Sequence, residues 1–168
     1  MNILVTGAKG FIGKNLVCEL KNRNYDNIFE YDIDTDATLL DDFTRKCDFV
    51  FHLAGVNRPN DEKEFMKENV GFTSNLLSAL EKHKNLCPVM LASSIHADTD
   101  SPYGASKRAS EDLVFSYGRK NNVTVMVYRF PNVFGKWCRP NYNSVVATFC
   151  HNIARDMDIT ISDPDVEL

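Results

Sequence analysis

No stretch of this sequence approaches the roughly 20 consecutive apolar residues that a membrane-crossing helix needs. Nothing reads as a targeting segment either: Met1 leads into the short run Ile3-Leu4-Val5 and then a glycine turn, with no basic region and no long apolar core. Cysteines are few and scattered. Cys18, Cys47, Cys87, Cys138 and Cys150 are odd in number, no C-x-x-C occurs, and the four histidines do not fall at ligand spacing beside them. Reduced thiols in a cytoplasmic protein are therefore expected, and no metal site. Charge runs of one sign are also missing. With a net charge of −4 and no basic cluster beyond two or three residues, the footprint of a nucleic-acid-binding surface is absent. Repeats and low-complexity tracts are lacking too, and 43% hydrophobic with 25% charged residues excludes disordered and collagen-like chains. A soluble globular chain of 168 residues is left, long enough for one compact domain and a fragment of a second.

What is present alternates between short apolar runs and longer helical patterns, the signature of βα repeats around a parallel sheet. Strands are expected at Asn2–Thr6, Asn27–Tyr31, Asp48–Leu53, Pro88–Ser93 and Val123–Arg129, each without strict alternation, as for strands covered on both faces. Helical spacing marks Phe11–Lys21 and the long segment Glu64–Lys82, and a further helix covers Ser110–Tyr117 with its start near Pro102. Only about one helix fits between Asp32 and Cys47, so the sheet should lack a strand at that edge. After Phe130 the composition turns to Pro131, Gly135, Pro140 and several asparagines, then a helical Ser144–Arg155 and a strand-like Asp158–Ser162. The expected organisation is a Rossmann-like, doubly wound α/β domain over residues 1–130. A partial substrate-binding segment over 131–168 would follow, too short to form a core alone.

Three groups of residues carry chemistry. Thr6-Gly7-Ala8-Lys9-Gly10-Phe11-Ile12-Gly13 places glycines directly after a strand and at the opening of an amphipathic helix. Gly7 permits a tight turn, Gly10 lets a pyrophosphate approach the backbone, and Gly13 lets the helix pack closely on the sheet. The helix N-terminus, with Phe11 and Ile12 in its first turn, offers free N–H groups to phosphates. A plain strand–turn–helix would use the same glycines. Asp32, roughly 20 residues past Gly13, is placed to accept hydrogen bonds from an adenosine ribose; a solvated turn acid among Asp32, Asp34 and Asp36 is the alternative. Tyr103 and Lys107 stand four apart on one helical face, where an ammonium favours the phenolate and suits proton transfer. Ser93 and Ser94 end the fourth strand at its carboxyl end, where ligands bind in open α/β sheets. Ser94 can hydrogen-bond the reacting oxygen, and Ser93 can meet the substrate.

Together these motifs resemble the extended short-chain dehydrogenase/reductases, whose pattern is T-G-x-x-G-x-x-G, H-L-A-G, Ser/Thr, then Y-x-x-x-K. His52-Leu53-Ala54-Gly55 matches the second element, whose Leu53, Ala54 and Gly55 would line the cofactor's path. Asn69 falls where that family has a structural asparagine, and Arg129–Gly135 is similar to its R-x-x-N-x-x-G segment, whose asparagine, here Asn132, would touch a nucleotide-sugar. A narrower resemblance runs through His52–Pro59, Pro131–Trp137 and Asn141–Cys150. It is to bacterial capsular-polysaccharide reductases, which join an N-terminal reductase domain to a C-terminal zinc-binding cupin domain. That resemblance implies an NAD(P)-dependent sugar-nucleotide oxidoreductase with catalytic Ser94, Tyr103 and Lys107, reducing the C4 keto group of a UDP-linked 4-keto-6-deoxy N-acetylhexosamine on the way to UDP-N-acetylfucosamine. It implies NADPH, whereas Asp32 and its acidic neighbours suit NADH, so both cofactors stay open. Arg58 is a candidate for a substrate phosphate or the acetamido sugar, and equally a loop arginine. Ile95 and His96 stand where a 4,6-dehydratase carries its extra carboxyls, which argues against dehydration. A nucleotide-sugar 4-epimerase and a catalytically incomplete dinucleotide-binding module are the rival functions. The sequence is silent on oligomeric state; a homodimer is compatible with it.

Overall fold

The computed structural model of the chain describes residues 1–161. Strands and helices alternate as β1 (Ile3–Thr6), α1 (Phe11–Asn22), β2 (Ile28–Tyr31), α2 (Thr38–Lys46) and β3 (Phe49–His52). A π-helical turn (Phe65–Val70) then runs into α3 (Gly71–Lys82), followed by β4 (Val89–Ser94) and a 3-10 turn (Ile95–Asp98). The remainder is α4 (Pro102–Asn121), β5 (Val125–Phe130) and α5 (Val145–Ile153). The chain divides into two compact units, Met1–Arg129 and a second that begins at Phe130.

The sheet order is β2-β1-β3-β4-β5, the doubly wound α/β arrangement expected. β1 pairs in parallel with β2 and with β3, and β3 with β4. From β1 the chain steps outward to β2, then returns past β1 to β3. That reversal opens a crevice at the carboxyl ends of β1 and β3, the place where open α/β sheets bind ligands. β2 forms the edge because α2 alone fills the link to β3, as the spacing between Asp32 and Cys47 requires.

Every residue of β1 and β4 is buried, which explains why their apolar runs do not alternate. Alternate residues of β1 serve different cores. Ile3 and Val5 pack with Val17 and Leu20 of α1 on one face. Leu4 packs on the other with Leu76, Leu77 and Leu80 of α3 and Val114 and Tyr117 of α4. At roughly 1.5–3 kcal/mol for each fully buried large side chain, these two layers are the principal stabilising term of the first unit. Gly118 lets α4 lie against β5, since a Cβ there would come within 2.8 Å of the Val125 side chain.

Two expectations change. The helix foreseen over Glu64–Lys82 is not uniform: its first turns widen into the π-helical segment that contains Asn69, whose carbonyl accepts the Thr73 hydroxyl at 2.7 Å. Residues 158–161 form no strand, and Ser162 lies outside the described residues; among the described residues no strand pairs with this stretch, and an isolated strand has nothing to satisfy its backbone. In the second unit, Ser144 caps α5 by accepting the Ala147 N–H at 3.2 Å, while Trp137 and Asn141 take left-handed backbone conformations. Among the described residues, no helix is long and apolar enough to cross a membrane.

Candidate active site

The crevice at the sheet reversal is floored by glycines. Gly7 turns the chain with a φ of +69°, and a Cβ there would lie 2.8 Å from the Ala54 nitrogen, so the turn and the end of β3 touch directly. Gly13 is packed harder, its Cβ position only 2.1 Å from the Gly7 carbonyl oxygen. Gly10 differs: a Cβ would meet only that same oxygen, at 3.2 Å, and otherwise open space. Gly10 also caps α1 with no side-chain acceptor and no acidic residue in the first turn. The first N–H groups of α1, those of Phe11 and Ile12 among them, thus face the crevice edge without intrahelical acceptors, at the positive end of the helix dipole. A cradle that a Cβ would fill, beside unpartnered helix N–H groups, fits the pyrophosphate of a dinucleotide.

Asp32 stands beside this turn at the end of β2. Its carboxylate accepts the Lys9 N–H at 2.7 Å and the Ile33 N–H at 2.8 Å, and its own N–H donates to Thr35 Oγ1 at 2.9 Å. Lys9 Nζ donates to Asp34 at 2.5 Å. Asp32 therefore ties β2 to the glycine turn and keeps lone pairs for a ribose hydroxyl.

His52 does not line an open path. It is 1% exposed, in the middle of a directed hydrogen-bond chain. The Thr73 hydroxyl gives its proton to Asn69, so it accepts from His52 Nε2 at 2.9 Å. Nδ1 then accepts from Thr6 Oγ1 at 2.8 Å, and Thr6 Oγ1 in turn accepts the Ala54 N–H at 3.3 Å. Burial, with a smaller contribution from Lys107, drops His52 to about 3, so the ring is neutral. Leu53 packs into the α1-side core, while Ala54 and Gly55 continue from it into the loop. Asn69 clamps that loop by accepting the Val56 N–H at 2.8 Å and donating to the Val56 carbonyl at 3.1 Å. It also donates to Ser106 Oγ at 3.0 Å, and Ser106 donates to the Tyr103 carbonyl at 2.8 Å. The loop after β3 and the tyrosine turn of α4 are thereby held by one side chain.

Tyr103 and Lys107 lie on α4, whose start is set by Ser101 accepting the Gly104 N–H at 3.0 Å and by Pro102. Gly104 lets this turn press on the preceding 3-10 turn, where a Cβ would lie 2.2 Å from the His96 carbonyl oxygen. The short link between Ser94 and Tyr103 is filled this way. Ser94 accepts the His96 N–H at 3.2 Å and hydrogen-bonds the Tyr103 phenol. Burial raises the phenol above its ordinary value, against the Ser94 hydrogen bond. The lysine does not lower it as the sequence suggested, because Lys107 Nζ donates to the Ala92 carbonyl at 2.8 Å instead. Burial brings Lys107 down to about 8, with Glu111 pulling the other way.

Ser94, Tyr103, Lys107 and Gly55 are thus brought together; a Cβ on Gly55 would sit 3.6 Å from Lys107 Nζ. Ser93 is committed elsewhere: it is buried, and its hydroxyl donates to Glu111. Arg58 lies exposed in the loop after β3, and Asn132 is an exposed residue of the second unit. Sequence reasoning passed over Glu111 and the Thr6–His52–Thr73 chain. The four-residue step from Lys107 to Glu111 was a signal for the first; nothing local signals the second, whose members are distant in sequence.

Residues 3–164 match the NAD dependent epimerase/dehydratase family. The UDP-2-acetamido-2,6-beta-L-arabino-hexul-4-ose reductase of Pseudomonas aeruginosa is 44% identical over 168 residues, covering all of this chain and 45% of that protein. The capsular polysaccharide assembling protein CapF of Staphylococcus aureus superposes with a TM-score of 0.87 at 47% identity, over 99% of this chain and 45% of that one. MoeE5, solved with UDP-glucuronic acid and NAD, superposes with a TM-score of 0.70 at 28% identity, over 84% of this chain and 58% of its own. The chain spans about half the length of the first two relatives.

Proposed function

The chain belongs to the NAD dependent epimerase/dehydratase family, and from that membership we propose that it forms the dinucleotide-binding, proton-transferring part of a reductase. Its substrate would be a UDP-linked 4-keto-6-deoxy N-acetylhexosamine, reduced at C4 in surface-polysaccharide synthesis towards UDP-N-acetylfucosamine. The observation that carries this is the meeting of Ser94, Tyr103 and Lys107 at the carboxyl end of β4, next to the glycine cradle. The Pseudomonas relative is named for reducing a UDP-linked 2-acetamido hexul-4-ose, and the Staphylococcus relative for capsule assembly, which supports the substrate class.

NADPH or NADH, when bound, supplies the hydride. The glycine turn and the N-terminus of α1 would hold the pyrophosphate, and Asp32 would take a ribose hydroxyl. Tyr103, kept protonated at neutral pH by burial, gives its proton to the sugar oxygen as charge develops there. Ser94 donates to the same oxygen and steadies it. Lys107 would hold the nicotinamide ribose from its seat against the Ala92 carbonyl. Asn132 and Arg58 are the candidate contacts for the nucleotide-sugar, each from its own unit. Ser93, whose hydroxyl donates to Glu111, is assigned to the framework in this reading.

A paired fluorescence titration of the purified chain with NADH and NADPH tests this. Micromolar binding of either supports the assignment, and NADH preference identifies Asp32 as the ribose anchor. Binding of neither refutes it. A 4-epimerase would use the same three residues, and would be recognised by cofactor that stays bound through purification.

A further inference from the structure

Glu111 is the deepest charged group beside the site that proton transfer leaves unused. The residue is 4% exposed. The Ser93 hydroxyl donates to Oε1, Arg129 Nε donates to Oε1 at 2.9 Å, and Arg129 Nη2 donates to Oε2 at 2.7 Å. Arg129 Nη1 goes to Asp98 at 2.6 Å. Burial pushes the Glu111 carboxyl up, yet the hydrogen bonds from Arg129 and Ser93 outweigh it and keep the group below its ordinary value.

Tyr103, Lys107 and Glu111 follow at four-residue steps along one face of α4. They meet the end of β4 in three successive ties: Tyr103 to Ser94, Lys107 to the Ala92 carbonyl, and Glu111 to Ser93. Among the described residues Lys107 has no ion pair within 4 Å, and Glu111, one helical turn along α4, is the carboxylate whose charge favours its protonated form. His52 from β3 is neutral, and the Phe65–Val70 turn meets α4 through the uncharged Phe65 and Asn69. His96 stands beside Tyr103 from the 3-10 turn, while α3 meets α4 through Glu81 and Lys120 near its far end. Arg129 is itself a cation, engaged with Glu111 and Asp98.

We infer that Glu111, anchored by Arg129 and Ser93, is a positioning residue: the buried counter-ion of Lys107 and the third tie fixing the Ser94-bearing end of β4 to α4. The inference rests on Lys107 being the group that holds the cofactor ribose, but its test uses no cofactor, so the two can fail separately.

The test is an NMR titration of the chain labelled with ¹³Cε-lysine, with the Lys107 signal identified by its loss in Lys107→Arg. Glu111→Gln should lower the Lys107 midpoint by roughly one unit, about a tenfold loss of proton affinity. Glu111→Asp, which keeps the charge, should restore most of it. A folded Glu111→Gln chain with an unmoved Lys107 midpoint overturns the inference, whatever happens to its melting temperature. Should Glu111→Gln fail to fold, Arg129→Gln replaces it: the carboxylate is then less neutralised and the Lys107 midpoint should rise. An unmoved or lowered midpoint there is equally fatal. NADH and NADPH titrations of the unaltered chain judge the assignment of Lys107 to the ribose independently.

Discussion

Gly13 and Gly10 lie three residues apart in one turn, and adding a single methyl to each should have opposite consequences. In Gly13→Ala the new Cβ would stand 2.1 Å from the Gly7 carbonyl oxygen and 2.8 Å from Ala8 Cα. A comfortable heavy-atom contact is roughly 3.5 Å, so α1 must withdraw from the turn by more than about 1 Å. Neither atom is the tip of a flexible side chain, and both belong to backbone in a tight turn. Alanine gains about 1 kcal/mol in helix propensity over glycine, whereas overpacking of this kind costs up to about 3 kcal/mol. The clash wins, leaving a net loss of about 2 kcal/mol and a Tm lower by roughly 4–8 °C for a chain of this size. Gly10→Ala meets only the Gly7 oxygen at 3.2 Å, so its Tm should stay within a few degrees of the parent. The methyl would nevertheless occupy the space through which a pyrophosphate reaches the backbone, and NADH and NADPH affinity should fall at least about tenfold, as for the loss of one charge-assisted hydrogen bond. Thermal melts and nicotinamide fluorescence on the two variants make the comparison. If Gly13→Ala melts with the parent, or Gly10→Ala binds cofactor as the parent does, the account of the cradle is wrong.

Three further outcomes follow from the site and the core. His52 titrates near 3 in the folded chain against about 6.5 unfolded, so the unfolded state binds the extra proton and stability falls as pH drops from about 6.5 towards 3; His52→Asn should flatten that slope in urea-unfolding midpoints, and an unchanged slope would contradict a buried neutral ring. Tyr103→Phe should abolish reduction, a drop of at least about 100-fold, while cofactor affinity stays within about twofold, as measured by turnover and nicotinamide fluorescence; loss of both together would argue against an acid role. Cys18 and Cys150 are exposed, whereas Cys47 and Cys87 are buried with their sulfurs 3.7 Å apart, so the buried pair should react with a thiol reagent only in denaturant, and prompt reaction of all five cysteines would refute that packing.

The βα order, the glycine turn and the Tyr103–Lys107 pair are legible along the chain, because each depends on neighbours within one element. Glycines between a strand and a helix, apolar runs without alternation, and a four-residue step on one helical face are local facts that survive in almost any packing. The absent strand between Asp32 and Cys47 was legible for the same reason, since chain length bounds what can form. The remaining contacts come from packing in three dimensions. It gave Ser93 to Glu111, left the Ser94 hydroxyl at the phenol, and set Lys107 against the Ala92 carbonyl. It drew Thr6, His52 and Thr73 into one chain of hydrogen bonds and widened the helix around Asn69. Buried hydroxyls, imidazoles and carboxylates must each find a partner once water is gone, and several plausible partners exist for each in the sequence. Which one is reached depends on the close approach of β3, β4 and α4, at distances that residue spacing along the chain does not encode.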